Sequence, residues 1–466
     1  MLFVEPRYFL FFVVVFSVYW ALKSNRARKC VLLAASYVFY GAWDPRFLLL
    51  LAFSTVFDFV TGLKVEHSTS ETARRWLITF SVSVNLGLLF IFKYFGFFTN
   101  SFVALLHATG VPANPVTIRV ILPVGISFYT FQSLSYTIDI YRRHLHARSS
   151  LLDYATFVGF FPQLVAGPIV RAYTFLPQLD RARSFADVPF RQALILFGFG
   201  FIKKACISDT IAPYVDKVFA DPAQYTGSSV ILAVVLYAIQ IYCDFSGYTD
   251  MAIASAGLLG YRLTVNFSHP YFAAGVAEFW RRWHISLSSW LRDYLYISLG
   301  GNRGGKLKTY RNLMLTMVLG GLWHGASWNF VIWGTLHGLA LVVEREFGAW
   351  RKRLGPVEEF RSLTIALTFS WVCFAWIFFR ASSLPTALTI VRSIVLPGGG
   401  TLTLGSGLAL AVAGLALVHW LESRRLISDT LMALPRPAFY ATAGVCAGII
   451  PAFIPLVYRP FIYFQF

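Results

Sequence analysis

Long apolar runs, separated by short polar connectors, repeat from one end of the sequence to the other. A run of about 17 to 25 apolar residues spans a bilayer as a helix, because hydrocarbon offers backbone amides and carbonyls no other hydrogen-bond partners. Several runs are too short to cross alone. We therefore predict an all-α polytopic membrane protein with about 11 to 13 membrane helices, plus re-entrant or interfacial ones. The candidate elements lie near residues 8–22, 30–43, 46–63, 76–98, 118–138, 151–170, 190–207, 228–243, 247–262, 312–327, 328–343, 363–380, 404–420 and 438–458.

Two interruptions of this pattern indicate something other than straight spans. Pro123, Pro162 and Pro168 fall inside apolar segments, and such interruptions at membrane depth usually mean broken helices that line a cavity. Residues 276–297, "VAEFWRRWHISLSSWLRDYLYI", place aromatic and aliphatic side chains at helical spacing and arginines mostly on other faces. That pattern predicts a helix that lies at the membrane interface or dips into a polar cavity.

The composition agrees with a membrane protein. Of 466 residues, 57% are hydrophobic, 17% aromatic and only 13% charged, whereas a soluble domain is about one quarter charged. No polar block is large enough to fold separately, so we predict one membrane domain over residues 1–466. A nucleic-acid partner is disfavoured, because no polar basic domain exists in the sequence to hold one.

The positive charge is concentrated in connectors. Forty Lys and Arg against 22 Asp and Glu give +18, with clusters at residues 23–29, 142–148, 303–311 and 345–353. Such clusters are expected on the cytoplasmic side beside anionic lipid, and an anionic ligand is a possible addition. Because the apolar stretch at 8–20 precedes its basic cluster, we predict a retained first span with the N-terminus outside, not a removed signal.

Disulfide and metal chemistry have little support in the sequence. A metal site needs three or four ligands in a preset geometry, and the HxxxH and HExxH patterns are both absent. The cysteines are scattered and form no CxxC pair, so we predict neither a disulfide framework nor a bound metal. They are Cys30, Cys206, Cys243, Cys373 and Cys446.

Three of the nine histidines fall within apolar or amphipathic segments, where an ionisable group is a functional hypothesis by default. His284 follows two arginines and, taken alone, fits the polar face of a helix. His337 shares a face with His324 only if the helix between them is unbroken, so a structural role is favoured for it.

The third histidine, His324, lies in the stretch "GGLWHGASWNF" at residues 320–330. The glycines of this stretch let another backbone or a ligand approach closely, and its tryptophans supply a rigid wall. The residues alone leave three roles open for the imidazole: a hydrogen-bonded structural group, a catalytic base or a metal ligand. The glycines and tryptophans concerned are Gly320, Gly321, Gly325, Trp323 and Trp328.

Acidic residues with apolar neighbours form a second set of candidates, and the stretch "YCDFSGYTD" at 242–250 contains two of them. Ion pairs with nearby arginines are one interpretation, and cavity lining is the other. The residues are Asp58, Asp139, Asp244, Asp250 and Glu278.

The motifs of several enzyme classes are absent. No GxSxG elbow, Walker loop or dinucleotide fingerprint occurs, which disfavours an embedded hydrolase, an ATPase or a Rossmann enzyme. A buried histidine base, a second histidine and many arginines instead fit acyl transfer from a phosphate-bearing thioester to a hydroxyl. The imidazole takes the hydroxyl proton, and a thiolate, with a pKa of about 8.5, leaves without strong acid help. Candidate contacts for the donor's phosphates are Arg281, Arg282, Arg292, Arg303 and the rest of the 303–311 connector.

Five stretches between residues 120 and 338 form a distinctive set: "LPVGISFYTFQSLSYTIDIYR" (122–142), "FFPQLVAGPIVR" (160–171), "YCDFSGYTDMAIASAGLLGY" (242–261), "NFSHPYFAAGVAEFWRRWHISLSSWLRDYLYISLGGNR" (266–303) and "GGLWHGASWNFVIWGTLHG" (320–338). Together they resemble the membrane-bound O-acyltransferases, most closely the bacterial alginate O-acetyltransferase branch. The similarity to the branch that D-alanylates teichoic acids is more distant.

The resemblance implies a ring of helices around a thin central region, where a cytoplasmic funnel for the donor meets an extracytoplasmic cavity. It implies that His324 is the catalytic histidine of the family and that His284 is its second catalytic position. The residues expected to line the tunnel between them are Asp244, Gly321, Trp323, Gly325 and Asn329.

The resemblance also implies a multi-pass enzyme of the bacterial inner membrane with no bound cofactor. Acetyl-CoA or an acylated carrier supplies the acetyl group, which passes directly or through periplasmic acetyltransferase partners to a polysaccharide, with alginate favoured. Cellulose, peptidoglycan and teichoic acid are the alternative acceptors. A transporter or flippase, a glycosyltransferase and an export scaffold are competing functions, and a transporter would not need His324 as a base.

Overall fold

The structure, a computed structural model, describes residues 1–114, 121–351, 360–396, 399–401, 406–449 and 459–464. These residues are mostly helical, and the β-pairing among them is an isolated bridge between Tyr225 and Thr401. The predicted all-α fold is therefore confirmed. Parts of three predicted elements and of one basic cluster lie outside the described residues, at 118–120, 352–353, 404–405 and 450–458.

The first of two compact units comprises Met1–Pro189, Ser255–Thr264 and Gly325–Ser327. Several of its helices begin at a serine, such as Ser24 and Ser150, whose hydroxyl accepts a hydrogen bond from an amide of the first turn. Its helices are α1 (Pro6–Ala21), α2 (Asn25–Gly41), α3 (Phe47–His67), α4 (Glu71–Leu89), α5 (Phe95–Ala108), α6 (Ile126–Tyr141), α7 (Leu151–Gly159), α8 (Phe161–Leu164) and α9 (Ala172–Leu179), with a π-helical segment at Phe90–Tyr94 and a 3₁₀ turn at Phe185–Asp187.

The second unit comprises Phe190–Ala254, Val265–His324 and Trp328–Phe466, and it contains both predicted catalytic histidines. Its helices are α10 (Phe190–Phe201), α11 (Asp209–Ala220), α12 (Gly227–Leu258, whose last residues belong to the first unit), α13 (Val276–Arg282), α14 (Ile285–Trp290), α15 (Lys306–His324), α16 (Trp328–Arg351), α17 (Arg361–Arg380), α18 (Leu384–Val395), α19 (Ser406–Ser423), α20 (Leu426–Ala433) and α21 (Arg436–Ile449). Shorter pieces are π-helical segments at Ile202–Ser208 and Leu291–Tyr296 and 3₁₀ turns at Pro222–Gln224, Pro270–Phe272 and Ile462–Phe464.

Several of the described helices have the length and composition of membrane spans, which supports a multi-pass membrane protein. Four stretches meet both conditions: Phe47–His67, Glu71–Ala108, Gly227–Leu258 and Arg361–Arg380. The larger total of about 11 to 13 membrane helices stays a prediction, because shorter helices can contribute to membrane-embedded parts only as broken or re-entrant elements.

Helix α12 corrects one sequence prediction. The apolar pattern predicts separate elements near 228–243 and 247–262, but residues Gly227–Leu258 form one helix of 32 residues. The polar residues between the two runs do not end the helix, because their side chains find partners elsewhere. Asp244, for example, pairs with Lys204 at 2.6 Å. Polar side chains interrupt a helix when they bond to its backbone instead.

Prolines break the predicted element near 151–170, as the sequence indicates. Helix α7 ends at Gly159, Pro162 lies in the first turn of the four-residue helix α8, and Pro168 lies in the non-helical stretch that follows. Proline lacks an amide hydrogen and its ring clashes with the preceding turn, so a helix ends or restarts there. Cavity lining by the freed backbone stays a prediction.

Candidate functional site

Helices α15 and α16 form a tight hairpin whose turn carries His324. α15 ends at His324, and α16 begins at Trp328. A Cβ atom added to Gly321 would collide with the Phe330 carbonyl oxygen and lie 3.2 Å from the Gly334 Cα atom. A Cβ atom added to Gly334 would meet the α15 backbone in the same way. The two backbones therefore touch, and this contact fixes the end of α15 that presents His324.

Gly321 is thus required by helix packing, and its predicted role as clearance for a ligand stays a prediction. We expect Gly321→Val to reduce the stability of the purified protein by about 1 to 3 kcal/mol, because overpacking forces the two backbones apart. The melting temperature in detergent measures this effect. Gly198→Val is the matched control, since a Cβ atom at Gly198 in α10 has no heavy atom within 4 Å. Equal melting temperatures for the two variants would contradict the packing role.

His284 lies at a break in the sequence-predicted helix at 276–297. The structure divides this stretch into α13, α14 and a π-helical segment, so the prediction of one helix is wrong. At the break, His284 has left-handed backbone angles, φ 43° and ψ 53°. Left-handed backbone angles are uncommon for residues other than glycine, and histidine adopts them more often than most but less readily than glycine, so contacts from neighbouring residues help to fix them here.

Asn266 imposes this conformation from outside the helices. Its backbone carbonyl accepts a hydrogen bond from the Ile285 amide at 2.9 Å. Its side-chain Oδ1 accepts from the Ser286 amide at 3.1 Å and from the Ser286 hydroxyl at 2.9 Å. Helical periodicity does not reveal such a long-range contact, and the sequence signal for Asn266 is only its place in the stretch at 266–303, one of the five that carry the family resemblance. Strained backbone persists where neighbours fix it in this way.

The two histidines lie close together in the second unit. Their ring centroids are 6.3 Å apart, and His284 and His324 are 0% and 3% exposed. Trp323 borders both rings, at 5.9 Å from His284 and 5.0 Å from His324. Phe245 packs edge-on against His284 at 4.6 Å, and Phe379 packs against His324 at 5.3 Å. The site is therefore a pair of imidazoles enclosed by aromatic rings and shielded from water.

Burial has an electrostatic consequence for His284, which lies between two short helices that do not span a membrane. Removal from water lowers the pKa of its imidazole to about 3, so the ring is neutral at pH 7. A neutral imidazole has one N–H donor and one lone pair. It is able either to accept a proton or to donate a hydrogen bond to an oxygen that becomes negative.

Tyr463 adds a third ring to the site. Its ring centroid lies 5.3 Å from that of His324 and 6.4 Å from that of His284. Its hydroxyl is buried and has no hydrogen-bond partner among the residues that the structure describes. Sequence reasoning missed Tyr463, because no spacing rule links it to either histidine. The available signal is the aromatic-rich stretch "RPFIYFQF" at 459–466.

The structure gives local contacts for several of the residues predicted to line a tunnel. Trp323 borders both histidines, and Gly325 follows His324 directly in the turn to α16. Asn329 is buried, and its side-chain amide donates to the Ala381 carbonyl at 2.9 Å, which ties the start of α16 to the end of α17. Tunnel lining itself stays a prediction for all of them.

Lysines, not the arginines that the sequence suggests, neutralise the acids of the "YCDFSGYTD" stretch. Asp244 pairs with Lys204 at 2.6 Å, and Asp250 pairs with Lys203 at 2.7 Å. Asp58, in the first unit, accepts hydrogen bonds from a serine hydroxyl and an asparagine amide. Buried carboxylates need such partners, because an isolated charge in an apolar interior is costly.

A comparison with known protein families identifies the class of this protein. Residues 47–384 match the model of MBOAT, the membrane-bound O-acyltransferase family. The matched region covers well over half of the chain and includes both histidines. The chain belongs to the membrane-bound O-acyltransferase family. The resemblance found in the sequence is confirmed, and the protein is an O-acyltransferase.

Curated relatives of this acyltransferase are named for the acylation of alginate, peptidoglycan or teichoic acid. A probable alginate O-acetylase AlgI of Azotobacter vinelandii is 45% identical over 85% of this chain and 78% of its own. A peptidoglycan O-acetyltransferase of Helicobacter pylori is 37% identical over 85% of this chain and 80% of its own. A teichoic acid D-alanyltransferase of Bacillus subtilis is 29% identical over 55% of this chain and 68% of its own.

The arginines that are candidates for phosphate binding lie on the stretch that leads into and beyond His284 in this acyltransferase. Arg282 and Arg292 pair with neighbouring carboxylates at 2.6 and 2.7 Å, and Arg281 and Arg303 are exposed. Partly exposed guanidinium groups bind phosphate and carboxylate with the same donor geometry. Phosphate binding by these four residues stays a prediction.

His337 lies on α16, and the break at residues 325–327 removes any helical alignment with His324 on α15. The His337 ring packs against Trp280 and Trp333 at 5.0 and 4.9 Å. Within the described ranges, no group of three or more His, Cys, Asp or Glu side chains is placed to hold a metal ion.

Proposed function

We propose that this acyltransferase transfers an acetyl group from a cytoplasmic thioester donor across the bacterial inner membrane for O-acetylation of an extracytoplasmic polysaccharide. Alginate is the favoured polymer, because the relatives named probable alginate O-acetylase match this chain at up to 45% identity. Peptidoglycan is the second candidate, since the Helicobacter pylori relative named for it aligns along 85% of this chain.

The close pair of buried imidazoles supports the transfer chemistry. His324 accepts the proton of the attacking hydroxyl, and the hydroxyl oxygen forms the new ester bond to the acetyl carbon. The carbon–sulfur bond breaks, and the sulfur leaves as a thiolate that takes the proton back from the His324 imidazolium, which returns that ring to its neutral form. The neutral His284 ring donates its N–H to the carbonyl oxygen while that oxygen carries negative charge. When the hydroxyl of the final acceptor attacks directly, this sequence uses only the two histidine side chains and the two substrates.

The remaining elements of the proposal concern the donor and the partners. Acetyl-CoA or an acylated carrier protein supplies the acetyl group, and Arg281, Arg282, Arg292 and Arg303 hold the phosphates of that donor. Guanidinium groups suit this role because they stay charged and bind phosphate oxygens in pairs. Periplasmic acetyltransferases then complete the transfer to the polymer if the acetyl group is relayed.

Tyr463 offers a hydroxyl beside both histidines, and this position fits the first acceptor in a relay. We expect Tyr463→Phe to lower acetyl transfer to the polymer by about tenfold or more, because phenylalanine keeps the ring contacts and removes only the oxygen nucleophile. Tyr440→Phe is the control, since Tyr440 is an exposed residue of α21. Unchanged transfer by Tyr463→Phe would leave the tyrosine as an aromatic wall of the site and contradict a role for its oxygen.

One experiment tests the proposed function as a whole. The gene is deleted and then restored, and the O-acetyl content of alginate and of peptidoglycan is measured separately in each strain. Loss and recovery of alginate acetylation supports the favoured acceptor, and the same result confined to peptidoglycan supports the second one. Unchanged acetylation of both polymers refutes the two assignments. Transfer of labelled acetyl groups by the purified protein in proteoliposomes tests the enzymatic step directly.

A further inference from the structure

Two carboxylates hold the stretch that carries Tyr463, residues 459–463, which we name the 459–463 segment. Asp244 on α12 accepts a hydrogen bond from the Ile462 backbone amide at 2.8 Å. Asp216 on α11 pairs with the Arg459 guanidinium. The Asp244 and Asp216 side chains are 3% and 38% exposed, so we name them the inner and the outer anchor.

The inner anchor belongs to a buried ion cluster that the 459–463 segment completes. Lys204 pairs with Asp209 at 2.7 Å and with Oδ1 of Asp244 at 2.6 Å. One ammonium group therefore faces two carboxylates, and Oδ2 of Asp244 accepts from the Ile462 amide. A buried carboxylate oxygen without a donor is costly. The cluster thus favours the one position of the segment in which the Ile462 amide supplies that donor.

The outer anchor, Asp216, pairs with one arginine of the segment and with one arginine of the helices. Arg380 on α17 pairs with Asp216 at 2.5 Å, and its guanidinium also lies 5.7 Å from the centre of the Phe219 ring. Arg380 therefore holds Asp216 in place without help from the segment. Arg459 is the member of this group that the segment contributes, and its pair with Asp216 is partly exposed to solvent.

The Phe461 ring links the anchors to the histidines. It packs against Phe245 and Tyr248 of α12, with ring centroids 5.3 and 5.2 Å apart. Phe245 in turn packs against His284 at 4.6 Å and against Tyr463 at 4.6 Å. A shift of the segment therefore moves Tyr463 and also disturbs the packing of Phe245 against the His284 ring.

We propose that Asp244 and Asp216 are positioning residues for acyl transfer: they hold the 459–463 segment so that Tyr463 stays against His324 and His284. The kinetic part of this inference rests on the proposed function. The docking part, which states that the two anchors hold the 459–463 segment in place, rests on the anchor contacts alone. It is measured without any transfer reaction.

The kinetic test removes the guanidinium group by which the segment pairs with Asp216, and it leaves the buried charges of the inner anchor in place. With labelled acetyl-CoA as the probe in proteoliposomes, Arg459→Gln lowers kcat about tenfold and leaves KM for acetyl-CoA unchanged, because it displaces the acceptor side of the site. Arg148→Gln is the matched control, since it removes an arginine of similar exposure from its pair with Asp180, outside the anchors, and keeps kcat within about twofold of wild type. Arg459→Lys restores most of the lost rate.

The inner anchor is tested at the backbone, because replacement of Asp244 would leave Lys204 poorly compensated and risks a misfolded protein. Ile462→Pro removes the amide hydrogen that Asp244 accepts and lowers kcat in the same way. Ile462→Val keeps the amide and serves as its control. A rise in KM with unchanged kcat in Arg459→Gln or Ile462→Pro overturns the positioning role, because it places the effect on donor binding.

The docking test uses Tyr463→Cys in a protein whose five native cysteines are replaced by alanine. The reaction of this thiol with a maleimide is slow in the parent, and Arg459→Gln or Ile462→Pro accelerates it at least tenfold. Equal labelling rates in all variants overturn the claim that the anchors hold the 459–463 segment in place. Faster labelling without any loss of kcat overturns their kinetic role. A wild-type protein that transfers no acetyl group overturns the proposed function, whereas the labelling rates still decide whether the anchors hold the segment.

Discussion

Replacing His324 by glutamine is expected to lower acetyl transfer by a factor of about 10² to 10⁴, the contribution of a positioned general base. Glutamine preserves size and polarity, but it does not accept a proton at neutral pH. Water is a poor substitute for the lost base, because Trp333 and Phe379 pack against the His324 ring at 5.1 and 5.3 Å. The measurement is the initial rate of labelled acetyl transfer from a thioester by purified protein.

The control for His324→Gln is the same change at His337, a second fully buried histidine. His337 lies on α16, where its ring packs among those of Phe279, Trp280 and Trp333. We expect His337→Gln to affect folding or expression more than the rate per folded molecule. Full acetylation of the polymer by a normally expressed His324→Gln variant would exclude His324 as the catalytic base. That result would favour a transporter that only passes material across the membrane.

Replacing His284 by glycine is expected to give a well-folded protein that transfers acetyl groups about 10² to 10³ times more slowly. The loss in rate corresponds to one missing donor at the developing oxyanion. Folding is preserved because glycine adopts φ 43° and ψ 53° without strain. The rate is measured as for His324, and the melting temperature in detergent is measured beside it.

His284→Val separates the chemical role of this position from its backbone role. Valine also removes the imidazole, so its transfer rate falls as far as that of the glycine variant. Its β-branched side chain disfavours positive φ, and we expect a stability about 1 to 3 kcal/mol below that of His284→Gly. A glycine variant with wild-type kcat contradicts the oxyanion role, and equal melting temperatures for the two variants contradict the strained backbone.

Apolar patterning predicted the helical fold well and the helix boundaries unevenly. The candidate near 363–380 corresponds to α17 (Arg361–Arg380), and the division between the candidates at 312–327 and 328–343 falls at the turn after His324. Periodicity reports which side chains share a face, but it does not report where a distant group captures the backbone. For that reason it missed both the break at His284 and the continuity of α12.

The candidate site was accessible from the sequence only where its residues lie in recognisable motifs. His284 and His324 stand in the stretches at 266–303 and 320–330, and the fold brings their rings together. Tyr463 and Lys204 lie outside those stretches, and their contacts depend on the tertiary packing of α11, α12 and the 459–463 segment. A local pattern contains no information about such contacts.

The length of α12 sets a requirement for the donor molecule. At 1.5 Å per residue its 32 residues extend about 48 Å, compared with about 30 Å for the hydrocarbon layer. Asp244 and Phe245 lie close to the middle of this helix, so Phe245 and the His284 ring that packs on it lie about 20 Å or more along the helix from either end. For the proposed transfer, we expect the acetyl group to cover a distance of this order to meet the His284 ring. We therefore expect the proposed transfer to use a donor that carries its acetyl group at the end of a long flexible arm, and not a compact donor such as acetyl phosphate.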